Sequence, residues 1–255
     1  MSKPKILVLD IETAPLKVYN WSLWQDSTSV NQIAEEWQIL AVCCKWLGGK
    51  PSYMDMRDRH NDRDMLQWVW GLLDEADIVI TQNGKSFDIK KINARLIAEG
   101  YRPYSPIRQI DTKEVASKVF GFTSNKLEWM GAHIAKTPKS THKKFPGFEL
   151  WTECLKGNVK AWNEMKKYNI QDVIATEKLY LKMRPWIEGH PNLATYADGG
   201  SSQCPKCGSS SLQRRGQAVT QTGRYARLCC TDCGGWSRGR KTELPPARNK
   251  LLLSN

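Results

Sequence analysis

Residues Lys5 to Ile11 form a run of Ile, Leu and Val with little alternation, the pattern of a central strand covered on both faces. Two acids interrupt it where it ends, Asp10 and Glu12 in I-L-V-L-D-I-E-T. Residues two apart on a strand project to the same side, so both carboxylates face one place while Ile11 packs behind them. A carboxylate without a partner is costly in such a strand, and a cation is the natural remedy. The pair therefore reads either as an ordinary solvated strand edge or as the place where the fold brings positive charge to the end of its first buried strand.

The rest of the chain supplies the elements around that strand. Residues 13–37 lack a clear period, and Ile39–Trp46 with Ser52–Met56 read as a hairpin across Gly48, Gly49, Lys50 and Pro51. A helix is predicted up to Ala76, capped by Asp62 or Asp64, with Met65, Leu66, Val69, Leu72 and Leu73 at helical spacing. A short apolar strand, Asp77–Thr81, leads into the loop Asn83–Asp88 and a helix to about Glu99, and a further strand, Ile107–Ile110, ends at Asp111. Helices follow over 112–120 and 125–134, then a basic loop over 136–148, and one helical pattern from Glu149 to about Met183. Strands first and then strands alternating with helices predict an α/β fold, a sheet flanked by helices.

Two further acidic spacings stand out. Asp88 starts a helix directly after a turn containing Asn83 and Gly84, where helix capping is the ordinary reading. Tyr168 and Asp172 are four apart in a helical pattern and so share a face, as an exposed polar stripe also would. Together with Asp10 and Glu12 they make a set of oxygen ligands of the kind hard divalent ions take, ions that keep several waters and accept substrate phosphate oxygens. Two such ions about 3.5–4 Å apart stabilise both attacking and leaving oxygens in phosphodiester hydrolysis. Phe87 reads as a core residue.

In order and spacing, Asp10-Ile11-Glu12, Asn83 through Phe87-Asp88, and Tyr168 through Asp172 resemble the three exonuclease motifs of the DEDD superfamily, tyrosine subclass, on the ribonuclease H-like fold. The chain is similar to B-family-polymerase-type proofreading exonuclease domains and to stand-alone nucleases of phages and bacteria, over about residues 4–185. The histidine subclass would need His where this chain has Lys167. The resemblance implies a ribonuclease H-like mixed sheet, Asp10, Glu12, Asp88 and Asp172 as ligands of two Mg²⁺ or Mn²⁺ ions, and Tyr168 orienting the nucleophilic water. It further implies removal of nucleotides from a 3′ end. Asn83 corresponds to a residue that contacts substrate or orders its loop, and Asp111 is either an acid supporting the ligands or a helix cap.

Charge and cysteines point to a second module. The whole chain carries a net charge of +12, but residues 201–255 hold ten Lys and Arg against only Asp232 and Glu243, a net of +8. Cys204-Pro205-Lys206-Cys207 and Cys230-Thr231-Asp232-Cys233, with 22 residues between them, are two C-x-x-C knuckles followed by Gly208 and Gly234. In a reducing compartment that spacing predicts a closed four-thiolate Zn²⁺ site in a zinc ribbon, structural rather than catalytic. Arg214, Arg215, Arg224, Tyr225, Arg227, Trp236, Arg238 and Arg240 surround it, able to neutralise phosphate and stack on bases. Lys143 and Lys144, beside His142, lie between the second and third motifs and are candidates to reach a substrate strand. Cys43, Cys44 and Cys154 read as ordinary buried thiols.

The expected organisation is a ribonuclease H-like domain over 1–186, a linker over 187–203, a zinc ribbon over 204–240 and a basic tail over 241–255. No run of about 18 apolar residues exists, which predicts a soluble, cytoplasmic protein without membrane association. The expected activity is metal-dependent 3′–5′ hydrolysis of single-stranded nucleic acid, DNA before RNA, with Asn83, Lys143, Lys144, Arg214, Arg215 and Arg227 holding substrate. A structure-selective endonuclease of the same fold and a non-catalytic nucleic-acid-binding adaptor are the alternatives, and the ribbon is open to a protein partner as well as to nucleic acid.

Overall fold

The computed structural model describes residues 3–24, 27–137, 142, 144–198 and 201–253. The apolar run becomes strand β1 (Ile6–Thr13), followed by a small ribbon of β2 (Lys17–Val18) and β3 (Ile33–Glu35). The expected hairpin is β4 (Ile39–Trp46) and β5 (Ser52–Asp55), with α1 (Arg63–Glu75) after it. Then come β6 (Ile78–Thr81), α2 (Asp88–Ala98), β7 (Arg108–Asp111), α3 (Thr112–Val119) and α4 (Leu127–Met130), which continues as a π turn to Ala135. The helical pattern from Glu149 divides into α5 (Glu149–Leu155) and α6 (Val159–Met183). The break falls at Gly157, whose φ of 81° suits a residue without a Cβ.

β1 lies at the centre of a five-stranded sheet of order β5-β4-β1-β6-β7. It runs antiparallel to β4 and parallel to β6, and β6 is parallel to β7, so the sheet is mixed. Leu7, Leu9 and Ile11 pack with Met65, Leu66, Val69 and Leu73 of α1 and Ile89, Ile92 and Leu96 of α2. On the other side, Leu40 and Ala41 of β4 pack with Leu150 and Cys154 of α5 and Ala161, Trp162 and Met165 of α6. A sheet covered on both faces explains why β1 reads as a continuous apolar run. Because side chains alternate, Asp10 and Glu12 project away from Leu9 and Ile11, toward α5 and α6.

Two further expectations change. Asp62 precedes α1 but makes no capping bond to it. It is fully buried instead, accepts the Ile39 N–H at 3.0 Å, and pairs with Arg95 through two N···O contacts of 2.9 and 2.7 Å. A buried carboxylate needs that many donors, so tertiary demand outranked the local cap. Phe87 is 37% exposed rather than core. The aperiodic stretch after β1 carries Trp21 and Trp24 at 98% and 91% exposure, while Trp162 is buried.

The chain divides into two compact units, Lys5–Tyr180 and the part from Leu181 onward. In the second, a 3-10 turn at Leu193–Tyr196 buries Leu193, whose N–H donates to the Pro205 carbonyl at 2.8 Å. A three-stranded sheet of order β10-β9-β8 follows, built from β8 (Leu212–Thr220), β9 (Gly223–Cys230) and β10 (Trp236–Arg238). No helix among the described residues is long and apolar enough to cross a membrane.

Candidate active site

β6 pairs with β1 only as far as Val8. Beyond that point the flank of β1 has no strand beside it, and the Ile11 N–H donates to Asp88 Oδ1 at 2.9 Å. Asp88, in the first turn of α2, is thereby held against the first motif and is 3% exposed. From the other side, α6 presents Asn169, whose amide donates to Asp10 Oδ2, together with Tyr168 and Asp172. Trp151 of α5 donates its indole N–H to Glu12 Oε2 at 3.1 Å. Each acid of the first two motifs therefore meets an N–H donor from another part of the chain.

The electrostatics record the same convergence. Burial holds the Asp10 carboxyl well above the usual carboxylate range, and the charges of Asp88, Glu12 and Asp172 push it the same way, against the Asn169 hydrogen bond. Burial lifts Asp88 to about 7, with Asp111 adding to the rise, while the Ile11 and Asp88 backbone N–H groups oppose it. The Tyr168 hydroxyl is raised far above its ordinary value by burial, by Asp172, Glu12 and Asp10, and by a hydrogen bond with Asp172. It therefore stays protonated at neutral pH and acts as a donor.

The loop before α2 is built tightly. A Cβ on Gly84 would lie 2.4 Å from both Cβ and Oγ1 of Thr81, so only glycine lets the loop close over the end of β6. Asn83 takes a left-handed φ of 68°, a conformation that asparagine tolerates. Its N–H and that of Lys85 donate to the Asp111 carboxylate at 2.8 and 3.2 Å. Asp111 also caps α3, accepting from Lys113 N and Glu114 N. Of its two expected roles, capping is what its hydrogen bonds display, and the same carboxylate ties down the loop that delivers Asp88. Asn83 Oδ1 accepts from Lys113 Nζ at 3.1 Å, which orders that loop further.

Trp151 and Asn169 were not visible as site residues in the sequence. Asn169 adjoins Tyr168 and its helical position was a usable signal, whereas nothing local marks Trp151. His142 also joins the group: its ring meets those of Tyr168 and Trp151 edge-on, at centroid distances of 5.3 and 5.9 Å, and its Nδ1 is 2.7 Å from the Phe145 carbonyl oxygen. Lys144 is exposed, and Lys143 lies outside the described residues.

The donor set is four carboxylates brought together, and it suits hard divalent cations, which would offset the burial and the neighbouring charges that raise Asp10. The acids are spread more widely than a closed single-ion cage. Among the described residues, only Cys204, Cys207, Cys230 and Cys233 bring all their ligand atoms within 4.8 Å of one another. The two knuckles are built alike: Gly208 N donates to Cys204 O and Gly234 N to Cys230 O, at 2.8 and 2.9 Å, and both glycines have φ near 75°. The Cys204–Cys233 and Cys207–Cys230 sulfur distances are 3.7 and 3.6 Å. Four sulfurs at about 2.3 Å from a tetrahedral zinc stand roughly 3.8 Å apart, so the cluster fits that ion. Cys229 stays outside it, its thiol facing the Cys230 carbonyl.

A family model described as RNase_H superfamily matches residues 7–184. The chain belongs to that superfamily, whose ribonuclease H-like fold the mixed five-stranded sheet reproduces. Among solved structures it is similar to the family B DNA polymerase from the hyperthermophilic archaeon Pyrobaculum calidifontis, with a TM-score of 0.52 and 14% identity. That similarity covers 72% of this chain and 25% of the polymerase, so the chain spans about a quarter of the polymerase's length and the likeness is one of fold. No curated protein matches the chain by sequence.

Proposed function

We propose that the chain is a divalent-metal-dependent 3′–5′ exonuclease of the tyrosine subclass of the DEDD superfamily, acting on single-stranded nucleic acid, with DNA favoured over RNA. The observation that carries the reading is the meeting of Asp10, Glu12, Asp88 and Asp172 at the end of β1 with the Tyr168 hydroxyl among them. Asp10, Glu12, Asp88 and Asp172 would hold two Mg²⁺ or Mn²⁺ ions. When bound, such ions supply the positive charge that activates water and stabilises the departing 3′-oxygen.

The chain's own residues do the positioning. Trp151 fixes Glu12, Ile11 N–H fixes Asp88 and Asn169 fixes Asp10, so the carboxylates are held before any ligand arrives. Tyr168, kept protonated by its burial and by the acids around it, cannot take a proton from water and orients it by hydrogen bonding instead. Asn83 acts through loop order. In the second unit, Cys204, Cys207, Cys230 and Cys233 would hold one structural Zn²⁺ ion, whose role there would be to tie the two knuckles together rather than to catalyse.

The test is digestion of 5′-labelled single-stranded DNA and RNA with Mg²⁺ or Mn²⁺. A ladder shortening from the 3′ end, absent in Asp10→Ala, is expected. Cleavage of a circular single strand would establish an internal cut and overturn the exonuclease reading. Binding without cleavage of either substrate, with either ion, would leave only an adaptor.

A further inference from the structure

The strand register of the ribbon sorts its basic residues into two unlike faces. Arg227 of β9 stands directly opposite Arg238 of β10, and Cys229 opposite Trp236, so these four share a face with Tyr225, two residues before Arg227. On the opposite face Arg214, expected from the sequence to hold substrate, pairs with Leu228 in register and is instead neutralised by Glu243 at 2.7 Å, which also accepts from Gln217 at 2.9 Å, so it drops out of the binding set. Arg227 and Arg238 have no carboxylate within ion-pair distance among the described residues. Like charges placed directly across a sheet oppose each other. Here each guanidinium is held on a ring: Arg227 lies 5.3 Å from the Trp236 centroid and Arg238 4.2 Å from that of Tyr225.

The arrangement is fixed in advance. Arg227 Nε donates to the Arg215 carbonyl at 2.8 Å. Tyr225 lies across Gly223, where a Cβ would come within 2.6 Å of the phenol oxygen. Trp236 is 48% exposed. Rings and flat guanidiniums side by side, with uncompensated positive charge, match a ligand that alternates flat bases with phosphates. In a duplex the base faces are covered by their neighbours, so only an unpaired strand can use such a surface.

We infer that the face formed by Tyr225, Arg227, Trp236 and Arg238 is a binding platform for single-stranded nucleic acid, with the two guanidiniums on the phosphates and the two rings on the bases. The inference deepens the proposed function by naming the part of the chain that grips the strand outside the acidic site. It requires no cleavage.

Binding is therefore measured in the catalytically disabled Asp10→Ala background, with labelled oligo-dT and a duplex of equal length, by fluorescence anisotropy across a salt series. Single-strand affinity should exceed duplex affinity. Replacing Arg227 and Arg238 together by Ala should lower single-strand affinity at least tenfold and reduce the log–log salt slope by about 1.4, at about 0.7 per phosphate on a single strand. Trp236→Ala should weaken binding about tenfold while Trp236→Phe retains most of it, and Arg214→Ala on the neutralised face should change it less than about twofold. Metal content and far-ultraviolet dichroism confirm that each variant keeps the ribbon. Equal loss from Arg214→Ala, or preference for duplex, would overturn the platform. So would arginine effects unaccompanied by any effect of Trp236→Ala, which mark a surface that merely attracts anions. Failure of these binding predictions alongside intact 3′ cleavage by the unaltered chain would sink the platform and spare the exonuclease.

Discussion

In metal-free buffer the acidic site should make this protein less stable as pH rises. Asp88 is 3% exposed and its carboxyl is raised from 3.8 to about 7. The folded state therefore keeps a proton that the unfolded chain has already released. Stability contributed at low pH is lost as pH climbs from about 4 to about 7. At about 1.4 kcal/mol per pH unit, that interval corresponds to on the order of 4 kcal/mol. For a urea slope of about 2 kcal/mol per molar, the midpoint of the Lys5–Tyr180 unit should fall by roughly 2 M between pH 4 and pH 8. Asp88→Asn keeps an oxygen to accept the Ile11 N–H but carries no charge, so it should be close to wild type at pH 4 and more stable at pH 8. Millimolar Mg²⁺ should restore the wild type at pH 8 and have far less effect on the variant. Divalent ions are to be removed by exchange into treated buffer rather than with a strong chelator, which would also attack the cysteine site. A wild type with equal urea midpoints at pH 4 and pH 8, indistinguishable from Asp88→Asn, would refute the account of a buried carboxyl that keeps its proton in the fold.

Other perturbations have distinct signatures. Tyr168→Phe removes a donor but no metal ligand, so kcat should fall about 10²-fold with little change in KM, and steady-state kinetics on an oligonucleotide would reveal it. Gly84→Ala places a Cβ 2.4 Å from the Thr81 Cβ and should destabilise the protein by about 1–3 kcal/mol in urea unfolding. Thr81→Ala should not rescue it, because that Cβ remains. Stripping metal from the four cysteines should melt the β8–β10 sheet, visible as loss of hydrogen-exchange protection there, while β1, β4 and β6 stay protected.

Much of the architecture was legible because it rests on short-range rules. The unbroken apolar run of β1, the hairpin of β4 and β5, and the helical spacing of α1 and α2 each follow from burial periodicity and turn residues. The break between α5 and α6 is not legible in the same way, since Gly157 within a strong helical pattern gives little local warning. Asp62 escapes the local capping rule because its partners, Ile39 and Arg95, are 23 and 33 residues away.

The site divides in the same way. By spacing alone the chain determined that Asp10 and Glu12 share a strand face, that Tyr168 and Asp172 share a helix face, and that two C-x-x-C knuckles match one another. Only the folded molecule decided that Trp151 secures Glu12 across 139 residues, that Asn169 secures Asp10 across 159, and that Arg214 turns toward Glu243 while Arg227 does not. The physical reason is that backbone periodicity dictates which side of its own element a residue occupies, whereas the partner waiting there depends on sheet order and register, which arise when distant apolar faces find each other.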